Sequence, residues 1–138
     1  MTEAPATGSD LPPLNILLAE DNLISQKLAM AMLSRHGHTV TVVGDGKAAL
    51  DAVQSGTFDA VLMDIQMPEM DGLDATRAIR ALPGDKGALP VIAMTAGSGD
   101  DDAERCQAAG MDGHIAKPFD LAKVFALLRR CLDDRAGR

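Results

Sequence analysis

VLMDIQMPEMDG, residues 61–72, opens like a strand and closes like a turn. Val61, Leu62 and Met63 form a continuous apolar run of the kind found in a strand covered on both faces. An acid at the end of such a run, Asp64, is costly unless it is paired or used in chemistry. Pro68 and Gly72 then stop the strand from continuing and turn the chain away. Partners for Asp64 must therefore come from other parts of the chain.

Working outward from this stretch, the chain alternates short apolar runs with helical patterns. Upstream, Leu14–Ala19 reads as a strand and is followed by a helix with Ile24, Leu28, Ala31 and Met32 along one face, stopped by Gly37. His38–Val43 reads as a strand, Lys47–Gln54 as a helix with Leu50 and Val53 inward, and Phe58–Met63 as the third strand. Downstream come a helix near Leu73–Leu82, a strand at Leu89–Met94, a helix near Asp101–Ala109 capped by Gly110, and a strand at Gly113–Ala116. The stripe Leu121, Val124, Phe125, Leu128 and Leu132 marks a last helix. Five βα units with right-handed crossovers imply an α/β domain of three layers around a parallel sheet. Periodicity leaves the strand order open.

The chain has 138 residues, 46% of them apolar, which suits one core, so a fused output domain is not expected. Residues 1–13 are expected to be a flexible tail, 14–132 the folded domain, and 133–138 a short C-terminal tail. A formal charge of −7 repels phosphate backbones and anionic lipid, so no nucleic acid and no membrane is expected as a partner. No apolar run approaches the roughly 20 residues of a membrane span, and the N-terminus lacks the basic-then-apolar order of a secretion signal. A cytoplasmic location is expected.

Cys106 and Cys131 have neither metal-ligand spacing nor a CxxC pairing, which points to reduced thiols rather than a disulfide. His36 and His38 flank Gly37 with no further Cys or His at ligand spacing, so both read as solvated turn histidines.

The chemically unusual residues fall at strand ends. Glu20 and Asp21 follow the first strand, Asp64 ends the third, Thr95 the fourth and Lys117 the fifth. The carboxyl ends of an open parallel sheet share one edge, and ligands bind in the crevice outside them. Singly, each residue has a plainer explanation: Asp21 a helix N-terminal acid, Thr95 a strand end, Lys117 an exposed loop cation. Jointly, they read as a site.

AEDN at 19–22, VLMDIQMPEMDG at 61–72, MTA at 94–96 and KPF at 117–119 resemble, in order and spacing, the receiver domain of two-component response regulators. The likeness covers about Leu14 to Leu132, and LLAEDN, MDIQMPEMDG and AGMDGHIAKPF are similar to receivers attached to hybrid sensor kinases. The resemblance implies a (βα)5 flavodoxin-like three-layer sandwich with a parallel five-stranded sheet of order 2-1-3-4-5. It implies that Asp64 accepts a phosphoryl group from a phosphohistidine on a histidine kinase or histidine phosphotransfer protein, and that the change is read by a downstream protein target. Mg²⁺ is implied as cofactor, bound by Asp21, Asp64 and the backbone carbonyl of Gln66, with Glu20 acting through water.

The physical chemistry agrees with those implied roles. Like charges about 4 Å apart repel by roughly 4 kcal/mol at an effective dielectric of 20, so three crowded carboxylates call for a cation, and hard oxygen ligands suit Mg²⁺. Thr95 carries a hydroxyl able to donate to a phosphoryl oxygen, and Lys117 a cation able to pair with Asp64 or its phosphate. One position departs from the family: three residues before the lysine, receivers commonly carry Tyr or Phe, and this chain carries His114. Thr95 and His114 are the expected switch pair, with a polar ring making a weaker, pH-sensitive switch.

Rival readings fit less well. A haloacid-dehalogenase-type phosphatase needs a second acid two residues after its aspartate, where this chain has Gln66. A flavodoxin-like electron carrier needs a phosphate loop after the first strand and stacking aromatics, and this chain has Glu-Asp there and no Trp or Tyr. A P-loop around Gly46-Lys47 fails because Thr41 stands at the first glycine position and Ala48 at the Ser/Thr position. A degenerate interaction module would be expected to lose part of the acid set, which is intact. The chain is thus read as a stand-alone receiver, an expectation favoured by Met1 and the short tail, with a receiver from a hybrid kinase as the alternative.

Overall fold

The strands form where the apolar runs were densest. In the computed structural model, which describes residues 13–65, 67, 70–95, 100–116 and 121–136, β1 is Asn15–Ala19, β2 Thr39–Val43, β3 Ala60–Asp64, β4 Val91–Thr95 and β5 Gly113–Ala116. They pair in parallel in the order β2-β1-β3-β4-β5. Every residue of β3 and β4 is buried, whereas β2, at the edge, alternates exposed with partly buried positions. That difference explains why the inner strands read as unbroken apolar runs.

Helices α1 (Leu23–Arg35), α2 (Gly46–Ser55), α3 (Gly72–Arg80), α4 (Asp100–Ala109) and α5 (Leu121–Ala136) cover the two faces. Successive strand side chains point to opposite faces. Leu17, Ala19, Val61, Met63, Val91 and Ala93 therefore pack with Val53, Leu73, Ile79 and Cys106 of α2, α3 and α4. Ile16, Leu18, Leu62, Ile92 and Ile115 pack with Ala29 and Leu33 of α1 and Val124, Phe125 and Leu128 of α5. The result is the expected three-layer α/β sandwich. No described helix is long and apolar enough to cross a membrane.

Asn22, Asp45 and Asp71 cap α1, α2 and α3, their side chains accepting from the N–H groups of Ser25, Ala48 and Asp74. Each cap contributes about 1 kcal/mol. Gly110 ends α4 at φ +100°, the left-handed conformation in which glycine avoids a side-chain penalty.

Several expectations are corrected. The stripe Ile24, Leu28, Ala31 and Met32 is not the inner face of α1: Ile24 and Leu28 are 78% and 50% exposed, Ala31 is exposed and Met32 only half-buried, and Ala29 and Leu33 are buried instead. Ala29 and Leu33 pack in the core with Ile16, Leu18, Leu62 and Phe125, which leaves the larger stripe facing outward. His38 is not a solvated turn residue. It is 4% exposed, its Nδ1 accepts the Leu14 N–H at 3.1 Å, and its ring meets Phe125 edge-on at 5.5 Å. Lying just before β2, it is roofed by α5, a long-range contact that local spacing does not reveal. A short 3-10 helix at Gly84–Ala88 precedes β4, and α5 continues to Ala136, past Leu132. Cys106 and Cys131 are buried and not joined in a disulfide.

Two side chains tie the far end of the sheet together. Arg80 donates to the carbonyls of Gly110, Gly87 and Leu89 and to the Asp112 carboxylate. Lys86 donates to the carbonyls of Val53, Gln54 and Gly56 at the end of α2. The opposite, carboxyl edge is left for the acids.

Candidate functional site

Strand register brings the acids together. Ala19 is level with Met63, so Glu20 leaves β1 alongside Asp64, and Asp64 in turn is level with Met94, one residue short of Thr95. Glu20, Asp64 and Thr95 are all buried, while Asp21 is exposed at the rim. One carboxylate oxygen from each of Glu20, Asp21 and Asp64 lies within 4.8 Å of the others. Three of the expected acids and the expected hydroxyl thus share one edge of the sheet.

The acids are held by local structure. Glu20 donates its N–H to the Val43 carbonyl at 3.0 Å, fixing the chain as it leaves β1. Its carboxylate accepts the Asn22 N–H at 3.0 Å, and Gln26 donates its side-chain amide to the Glu20 carbonyl. Asn22 therefore does two things: it caps α1 and orients Glu20. Neither role of Asn22 was read from the sequence, and the Gln26 contact carried no local signal.

Asp64 is fixed from behind. The Ile65 N–H reaches the Met94 carbonyl at 3.3 Å, and the Gly72 N–H closes back on the Ile65 carbonyl at 3.2 Å. A Cβ on Gly72 would fall 2.3 Å from the Asp64 carbonyl oxygen, so only glycine permits this return of the chain. The punctuation read from the sequence at Gly72 thus has a steric cause at the acceptor itself.

Gln66 and Lys117 lie outside the described residues. His114 is exposed on β5, beside a shallow cleft of about 210 Å³ that Cys106, Gln107 and Met111 also line. The large exposed apolar side chains among the described residues, Leu23, Ile24, Leu28 and Met30, all lie on α1, which begins two residues after Asp21.

The donor set is all oxygen, with neither imidazole nor thiolate in the described cluster, and two of its three carboxylates are buried. Such a set fits a hard divalent cation such as Mg²⁺. A strand-end carboxylate beside a buried hydroxyl can also act as a nucleophile whose product is hydrogen-bonded by its neighbour.

Comparison with known proteins agrees with this geometry. Residues 16–129 match the family described as response regulator receiver domain. Over 128 residues the chain is 40% identical to hybrid signal transduction histidine kinase I of Dictyostelium discoideum, covering 88% of this chain and 7% of that protein. It is 38% identical over 138 residues to probable histidine kinase 4 of Oryza sativa subsp. japonica, covering 86% and 14%. The chain thus spans a small fraction of the length of these relatives. Among solved structures, it resembles the receiver domain of a sensor histidine kinase from Pseudomonas aeruginosa PAO1, which has a magnesium ion coordinated in its active site cleft. That match has a TM-score of 0.80 at 40% identity and covers 88% of this chain and 99% of the other. The signal receiver domain of a signal transduction histidine kinase from Syntrophus aciditrophicus matches with a TM-score of 0.78 at 28% identity, covering 88% and 91%.

Proposed function

Because the chain belongs to the response regulator receiver domain family, we propose that it accepts a phosphoryl group on Asp64 from a phosphohistidine of a histidine kinase or histidine phosphotransfer protein. The observation that carries this reading is the gathering of Glu20, Asp21 and Asp64 within 4.8 Å at the sheet edge where Thr95 is also buried. An Asp64 carboxylate oxygen attacks phosphorus, forming a P–O bond as the P–N bond to imidazole breaks. Asp21, Asp64 and the Gln66 carbonyl, with Glu20 through water, would hold Mg²⁺, which when bound neutralises charge on the phosphoryl oxygens. Thr95 donates its hydroxyl to a phosphoryl oxygen, and Lys117 pairs with the acyl phosphate. Thr95 and His114 form the switch read by a downstream protein target, His114 standing where an aromatic ring is usual.

The exposed apolar face of α1 supports the choice of donor. A phosphohistidine must approach over the rim formed by Asp21, and the stripe Leu23, Ile24 and Leu28 stands beside that approach. A helix of the donor protein would bury it. Two buried thiols without a disulfide suit a cytoplasmic setting.

The test is labelling. In Mg²⁺, the unaltered chain should take up one phosphoryl group from acetyl phosphate or a cognate phosphohistidine, and Asp64→Asn should take up none while keeping its circular dichroism. Full labelling of that variant at another residue would sink the assignment. Whether the receiver acts alone or within a longer hybrid kinase decides which phosphohistidine reaches it, and profiling transfer from every histidine kinase of the source organism separates the two.

A further inference from the structure

The first turn of α2 makes an unusual contact. Helix N-terminal N–H groups have no partner within their own helix and carry partial positive charge. At α2, the Asp45 side chain accepts the Ala48 N–H at 2.7 Å, but the Gly46 N–H goes elsewhere, to the carbonyl oxygen of Met70 at 2.9 Å. Met70 lies in the return segment between Asp64 and α3. The α2 terminus therefore holds the acceptor loop from outside, across 24 residues of sequence.

Sterics make the contact specific to glycine. A Cβ at position 46 would stand 2.0 Å from the Met70 oxygen, 2.8 Å from its carbonyl carbon and 3.0 Å from the Asp71 oxygen. These are backbone atoms and cannot rotate away, so the 70–71 peptide would have to move by roughly 1 Å. Two residues further on, a Cβ at Gly72 would likewise fall 2.3 Å from the carbonyl oxygen of Asp64, so Gly72 and Asp64 are held in close approach. Displacement at Met70 is thus carried by a short, closed segment to the acceptor residue.

We infer that Gly46 is a positioning residue for the phosphoacceptor site: its N–H and its missing side chain set the place of Met70, and through Gly72 the place of Asp64 and of the segment after it. The inference rests on the proposed acceptor role of Asp64. It also ties the seating of α2 to the site, since Gly46 is the helix's first residue.

Gly44 provides the control. It sits in the same connection between β2 and α2, has no positive φ, and a Cβ there would meet nothing within 4 Å. Gly46→Ala and Gly44→Ala are labelled with acetyl phosphate in saturating Mg²⁺, well below the melting temperature of each. Gly46→Ala should be slower by at least about tenfold, since a misplacement near 1 Å can cost roughly 100-fold, and Mg²⁺ should raise its melting temperature less. Gly44→Ala should match the unaltered chain. Equal rates and equal Mg²⁺ responses for Gly46→Ala and the unaltered chain would overturn the inference, whatever the loss in melting temperature.

A second measurement needs no variant. In the unaltered chain, Mg²⁺ with beryllofluoride should slow hydrogen exchange of the Gly46 amide by roughly threefold or more, because ordering the loop strengthens its hydrogen bond. Unchanged exchange overturns the inference, even where Gly46→Ala does not fold. If the unaltered chain takes no phosphoryl group, the acceptor reading of Asp64 fails, and the response of the Gly46 amide to Mg²⁺ alone then decides the positioning role.

Discussion

Glu20 and Asp64 bury their carboxylates within 4.8 Å of each other, with Asp21 completing the cluster at the rim. Crowded acids destabilise the fold that gathers them unless a cation is bound. Mg²⁺ at about 100 times its dissociation constant should stabilise the chain by about 2.7 kcal/mol, a rise of about 10 °C in melting temperature. Asp64→Asn should raise the melting temperature of the metal-free chain and shrink the Mg²⁺ response. Indifference to Mg²⁺, together with destabilisation by Asp64→Asn, would refute the crowded-acid description.

The exposed stripe on α1 predicts a separation of two donors. Ile24→Glu and Leu28→Glu change side chains that are 78% and 50% exposed, so stability should shift by no more than about 0.5 kcal/mol. Transfer from a protein phosphohistidine should slow by about tenfold or more, because a charge is then pressed against an apolar partner surface. Labelling by acetyl phosphate, which needs no docking helix, should be unchanged. Equal slowing with both donors would place the defect in the site instead.

Arg80 predicts a stability effect far from the acids. Its guanidinium serves three carbonyls and the Asp112 carboxylate, linking α3, the 3-10 helix, the start of β4 and the end of α4. The ion pair itself is partly exposed, at 24% and 39%, so most of the loss in Arg80→Ala comes from carbonyls left without their donor. Urea titration should show a loss of about 2–3 kcal/mol. Arg80→Lys should recover little of it, since an ammonium cannot reproduce the planar fork. A loss below about 0.5 kcal/mol for Arg80→Ala would show that water replaces these contacts.

His38 predicts acid sensitivity. Burial first, and the neighbouring His36 second, lower its pKa from the ordinary 6.5. The neutral ring suits its contact, because Nδ1 accepts from Leu14, and a proton there would face a donor with a donor. The native state thus binds fewer protons than the unfolded chain, and stability rises with pH. The contribution is complete above the unfolded value near 6.5 and is lost as pH falls from there toward the lower native pKa. Melting temperatures between about pH 7.5 and 5 should fall less steeply for His38→Gln than for the unaltered chain. Parallel curves would remove His38 from the acid response.

The elements of this protein were legible in its sequence wherever structure follows from local pattern. Buried parallel strands require continuous apolar runs, so β1, β3 and β4 announced themselves, and Asp64 stood out by ending one of them. The meeting of Glu20, Asp21, Asp64 and Thr95 was legible too, because parallel strands deliver their carboxyl ends to one edge whatever their order. What tertiary structure alone decided depends on contacts between distant segments. Helix α1 offered two apolar stripes about 140° apart, and only the packing of Ala29 and Leu33 into the core chose which faces inward and left Ile24 and Leu28 in solvent. His38 is buried because α5 brings Phe125 over it, and Gly46 matters because Met70 is folded against the start of α2. For His38 and Gly46 the deciding partner lies more than 20 residues away. Local periodicity has no access to such pairs, since they exist only once the sheet has fixed the distances between its layers.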